Sequence, residues 1–220
     1  MAAAVAALFC LAVIQAQGPW TPAQYVGGGV PPLPRLAIGG GQVVLELTVD
    51  DAGAVTAVKP LRTTPPFAEA LAAQAKGWRF TPAEEERPDP KRAGATARVA
   101  VASKVALIGM FRPPVLRGPT LGAVPKDIAS ASEDVAFPLN MVMPRFPPTA
   151  RAGGQVVVEA RIAADGAIGD VKVLQAQPPF QGAALDALSQ WTFRPARRAG
   201  VASPSFVYIV FGFAEIVGNK

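Results

Sequence analysis

Residues able to carry chemistry are few in this chain, and most fail on spacing. It contains no histidine and a single cysteine, Cys10, which lies in an apolar N-terminal stretch. That excludes a Ser–His or Cys–His nucleophile pair and a thiolate or imidazole metal centre, and no serine stands in a Gly-x-Ser-x-Gly elbow. Ser203 and Ser205 read as turn residues beside a terminal strand. The glycine runs 27–29 and 39–41 lack the Lys-Ser/Thr of a phosphate loop and precede strand-like sequence. What does recur is a carboxylate and an amine at matched spacing, Glu46 with Lys59 and Glu159 with Lys172. On neighbouring strands such a pair reads as an exposed ion pair worth under about 1 kcal/mol, not as acid–base machinery. The chain is expected to be no enzyme and to hold no cofactor and no metal.

Those recurring pairs belong to a longer recurrence. Displaced by 113 residues the chain meets itself without a gap, so that Gly40-Gly41-Gln42-Val43-Val44 falls on Gly153-Gly154-Gln155-Val156-Val157. Pro65-Pro66-Phe67 falls likewise on Pro178-Pro179-Phe180, and Trp78-x-Phe80-x-Pro82-Ala83 on Trp191-x-Phe193-x-Pro195-Ala196. From 31 to 83, 22 of 53 positions are identical, several times the chance level even for this Ala-, Val-, Pro- and Gly-rich composition. A tandem duplication follows.

Each copy spells out one small fold. Val43, Leu45, Leu47 and Val49, like Val156, Val158, Ala160 and Ile162, recur at period two, which marks a strand with a buried face. Asp51-Ala52-Gly53 and Ala164-Asp165-Gly166 supply the turn, with glycine where a positive φ is wanted, and a second strand follows over 54–61 or 167–174. A slip in apolar spacing between Val55 and Val58 predicts a bulge. The Pro-Pro-Phe motif opens a helix, and Phe67, Ala70, Leu71, Ala75 and Trp78 follow at helical spacing, as do Phe180, Ala184, Leu188 and Trp191. The helix runs out at Trp-x-Phe, where Pro82 or Pro195 turns the chain away. Both tryptophans read as core anchors. A last strand closes each copy, over 98–108 and over 206–213, the latter apolar on both faces. The charged stretch 84–90 reads as a solvent loop.

The expected class is α+β: two tandem small domains, each an antiparallel sheet of about three strands packed against one or two helices in a β-β-α-β core. The boundaries read from the sequence are a signal peptide at 1–17, domain 1 at 28–111, a linker at 112–141 and domain 2 at 142–220. The formal net charge is +5, but the basic residues are scattered, which argues against a nucleic-acid partner. The apolar run from Ala2 to Ala16 is shorter than the roughly 20 residues of a spanning helix and ends in a processing-like site before Gln17. A periplasmic protein is expected, with a membrane anchor as the alternative.

The order of these signals, from Pro144-Arg145-Phe146-Pro147 through the Gly-Gly strand, the Asp-Gly turn and Trp191-Thr192-Phe193-Arg194-Pro195-Ala196 to a hydrophobic last strand, resembles the C-terminal domain of TonB. The likeness covers nearly all of the second copy and, less cleanly, the first. It extends to the binding module and not to the TonB anchor and Pro-rich spacer. It implies a domain that binds an extended peptide of an outer-membrane transporter or other envelope protein beside its last strand, since an edge strand offers unpaired N–H and C=O groups. The residues it implicates are Phe206, Val207, Tyr208, Ile209, Val210 and Phe211, with Arg145 and Phe146 at the entry. The alternative is that the two last strands pair with each other in a pseudo-dimer with no transport role.

The leader is expected to be removed near Gln17. N-terminal sequencing of protein from native cells checks this, and an intact Met1 in a carbonate-resistant membrane fraction contradicts it.

Overall fold

The computed structural model describes residues 20–30, 40–112 and 131–214. The expected signal peptide 1–17, with Cys10, and residues 113–130 of the expected linker lie outside the described residues. In the first module, strands β1 (Trp20–Thr21) and β2 (Gln24–Gly27) lead into a hairpin, β3 (Gly41–Val49) and β4 (Val55–Arg62), followed by helix α1 (Phe67–Ala75). Then come β5 (Arg79–Thr81), β6 (Ala83–Pro88), β7 (Thr96–Val101) and β8 (Ser103–Arg112). The second module repeats this as β9 (Phe137–Asn140), β10 (Gly154–Ile162), β11 (Ile168–Ala176), α2 (Phe180–Leu188), β12 (Thr192–Arg194), β13 (Ala196–Arg198), β14 (Val201–Ser203) and β15 (Ser205–Phe213).

The local signals act as their chemistry requires. Gly53 and Gly166 take φ of +80° and +86°, and a Cβ at either would collide with the carbonyl oxygen of Phe80 or Phe193. Asp50 Oδ1 accepts from the amides of Ala52 and Ala54 and holds the first turn. The ladder of β3 and β4 steps from Thr48↔Ala57 to Val49↔Val55, which is the bulge that the apolar spacing predicts. Trp78 and Trp191 are buried just beyond their helices. Their indole N–H groups donate to Gly29 O and Val142 O, each at 2.9 Å, so the polar tip of each ring is satisfied by the chain that leads into its own module.

Three sequence expectations need correction. The stretch 84–90 is no solvent loop: most of it lies in β6, paired antiparallel with β7 from Ala83↔Val101 to Pro88↔Thr96. Its charges pair on both faces of the hairpin, Arg98 with Glu84 at 3.5 Å and Arg87 with Glu85 at 3.0 Å, so a run of glutamates does not oppose strand formation. The end of the presumed linker belongs to the second module, because Val135, Ala136 and Phe137 are buried and β9 pairs with β12. In the same way β2 pairs with β5, upstream of the boundary read at 28. These leading strands are short, and Phe137-Pro138 carries no alternation to betray a strand.

The largest departure concerns the sheets. The modules share one six-stranded sheet in the order β11-β10-β15-β8-β3-β4. All its pairings are antiparallel except the central one, where β15 and β8 run parallel from Val207↔Ala106 to Phe213↔Arg112. Each last strand meets the other on the edge away from its own module, so parallel pairing relates the modules by a half-turn about the strand direction, and they present opposite faces. Helix α1 accordingly packs in one core with Val43, Leu45, Leu47 and Leu107, joined by Tyr208 and Val210 of the other module. Helix α2 packs in the opposite core with Val156, Val158, Ile209 and Phe211, joined by Val44, Ile108 and Met110.

Replacing Trp191 by alanine is expected to cost about 3–5 kcal/mol in urea unfolding, because a large buried side chain leaves a cavity. Trp191→Phe keeps most of the apolar contact but orphans Val142 O, for a loss of about 1–3 kcal/mol.

Candidate protein interface

The eight residues singled out by the sequence divide into two places. Val207, Tyr208, Ile209, Val210 and Phe211 are fully buried in β15, and Phe206 is half-buried at its start. Their strand has β10 on one side and β8 on the other, so its backbone has no free edge. Arg145 is exposed, and Phe146 is half-buried, edge-on to Phe180 at 5.7 Å and to Phe213 at 6.1 Å. These two line a cleft of about 550 Å³ between the entry segment and α2, whose walls include Met143, Pro148, Ala183 and Asp186. Packing places Phe146 but does not seal it. The cleft is mixed in character, its apolar walls interrupted by Arg145, Asp186 and Gln190.

Tyr208 explains why β15 is apolar on both faces yet contains a phenol. Its ring lies in the first module's aromatic cluster, 6.0 Å from Trp78, 5.4 Å from Phe80 and 5.9 Å from Tyr25. The hydroxyl donates to Glu159 Oε2 at 3.0 Å and accepts from the Tyr25 amide at 2.9 Å. One oxygen thereby joins the leading strand of one module to the central strand of the other. Burial first, and then the Glu159 carboxylate, push the pKa of this phenol far above its ordinary value.

Glu159 and Glu46 are therefore not the exposed ion-pair members expected. The ladders do set Glu46 opposite Lys59 and Glu159 opposite Lys172, but both carboxylates are buried, at 4% and 8% exposure. Each lies under the leading segment of the other module. Glu46 Oε1 is 3.3 Å from Lys104 Nζ, and Oε2 accepts from the Ser132 amide at 2.9 Å. The segment beginning at Ser132 is held in turn by Arg194, which donates to Ser132 O at 2.8 Å. A further tie is made by Arg198, which lies 3.4 Å above the Trp20 ring and 3.7 Å from Glu85. The contacts of Glu46 with the Ser132 amide, of Tyr208 with the Tyr25 amide and of Arg198 with Trp20 and Glu85 each join the two modules, so no pattern in a single copy reports them.

Among the described residues no group of three or more His, Cys, Asp or Glu side chains gathers as a metal site, and no helix is long and apolar enough to cross a membrane.

Residues 143–213 match the family model of the Gram-negative bacterial TonB protein C-terminal. Among solved structures the chain is similar to the solution NMR structure of the Pseudomonas aeruginosa TonB CTD. The identity is 28%, the match covers 40% of this chain and 93% of that one, and the TM-score is 0.33. No curated protein matches.

Because Tyr208 loses its proton far less readily when folded than when unfolded, the linked stability is complete below the ordinary tyrosine value of about 10 and falls as pH rises beyond it. Urea unfolding followed upward from about pH 9 should show this loss, while Tyr208→Phe should reduce it and leave the part due to Tyr25, whose phenol burial also pushes up. The same variant is expected to be less stable by about 1–3 kcal/mol at neutral pH, with Glu159 and the Tyr25 amide left short of a partner.

Proposed function

We propose that this chain, whose second module is of the TonB C-terminal type, is a self-paired periplasmic protein-binding tandem and not an enzyme. The observation that carries the reading is the parallel ladder of β15 with β8. In the resemblance on which the family reading rests, a partner's extended peptide is added beside the last strand. Here the chain supplies that neighbour from its own first module. The two last strands therefore act as a fusion seam, and Phe206 to Phe211 are pairing residues between modules. A protein partner then meets surfaces that the seam leaves open, with Arg145 and Phe146 in the cleft beside α2 as the contact residues. A long apolar last strand left open would invite aggregation, and the seam removes that hazard.

Amide exchange separates this from a module that waits for a peptide. In the free full-length protein the amides of 206–213 are expected to exchange as slowly as those of β10, and fast exchange along β15 overturns the seam. Proline at Val210 tests it further. Because β15 is paired on both sides, that substitution removes a ladder donor whichever way the N–H points, so the tandem is expected to lose cooperative unfolding. A stable Val210→Pro protein contradicts the reading.

A further inference from the structure

Once β8 and β15 are paired, the six-stranded sheet ends in two strands, β4 and β11, each with a neighbour on one side only. They occupy equivalent positions in the two copies, so their differences can be compared residue by residue. Lys59 stands opposite Lys172 in the repeat, and Leu61 opposite Leu174. Pro60 is replaced by Val173, Ala57 by Asp170 and Arg62 by Gln175. The first edge is thus blunted by a residue without an N–H and carries only positive side chains, both recognised ways of keeping an edge from pairing. The second edge has lost the proline, lost one cation and gained an acid.

The ladder of β11 steps out of register at Gly169-Asp170 and again at Leu174, which leaves Val171 to Val173 in register with Asp170 at the end of that run. Asp170, Val171 and Lys172 are all exposed, and Val171, at 38%, is among the few exposed large apolar residues. Neither Asp170 nor Lys172 makes an ion pair among the described residues. If the strand is laid antiparallel against a copy of itself with Val171 opposite Val171, Asp170 of each chain faces Lys172 of the other. Two opposite-charge pairs then flank one apolar pair, in a closed twofold arrangement. Strand β4 has no acid to offer and cannot complement itself in this way.

We propose that the outer edge of β11 is a homodimerisation edge, joining the sheets of two copies of this chain through Asp170, Val171 and Lys172. The partner is a second copy because the charge pattern is self-complementary. The short straight run makes a weak contact, and the proline on β4 stops the sheet from extending beyond two copies. This inference does not depend on the binding role proposed above.

Sedimentation equilibrium of the full-length protein at low salt tests it. A monomer–dimer equilibrium is expected at high micromolar concentration, weakening as salt is added. Asp170→Lys and Lys172→Asp should each raise the dimer dissociation constant about tenfold or more, because two attractive pairs become repulsive together. The double variant D170K/K172D should restore dimerisation. The single variants change net charge in opposite directions, so a general charge effect cannot imitate that pattern, and circular dichroism confirms that all three stay folded. A protein that remains monomeric at every concentration overturns the proposal. So does association indifferent to both single reversals, or a monomeric chain that takes up an extended foreign peptide along β11.

Discussion

The parallel pairing of β8 with β15 is the constraint on which the rest of the structure depends. It turns the two modules so that their helices lie on opposite faces of one sheet. Every strand between the outermost two is then covered on both sides, by its own helix on one face and by the other module on the opposite face. That is why Val43 and Val44 are both buried although they point in opposite directions. It is also why β15 has no polar face: Val207, Ile209 and Phe211 serve the second module's core while Tyr208 and Val210 serve the first.

Burying the second face makes two carboxylates a problem that the fold solves with partners from their own module, backed by amides from the other. A buried charge needs a partner, and Glu46 and Glu159 lie where each module's leading segment crosses the other's central strand. Lys104 and the Ser132 amide answer the first, and the Tyr208 hydroxyl answers the second. These groups work as latches. Parting the modules would take the Ser132 amide from Glu46 and the Tyr25 amide from the Tyr208 hydroxyl, so polar chemistry adds specificity to an association driven by apolar area. The same geometry separates the candidate binding residues, burying those of β15 and leaving Arg145 and Phe146 at an open cleft.

What was legible in the sequence was whatever a single copy determines. The turn at Gly53, the bulge after Val55, the helix that begins at Phe67 and the burial of Trp78 follow from steric and periodic rules acting over a few residues. The duplication made each of them visible twice. The α+β class followed from them. Contacts between copies were illegible because they leave no period. The alternation of Glu46 with apolar neighbours looks the same whether its face meets water or another module. Likewise Phe137-Pro138 reads as linker until Phe193 and Arg194 are there to pair with it. The apolar second face of β15 was the one visible sign, and it suited a waiting edge as well as a filled one.

The central claim is that the two last strands lie side by side, parallel and in a defined register. Inter-strand nuclear Overhauser effects in the labelled full-length protein measure this directly. The account predicts cross-peaks linking Leu107 with Tyr208 and Ile108 with Ile209, in the evenly spaced pattern of a parallel ladder. Cross-peaks from β15 to β10 alone, with none to β8, would contradict it.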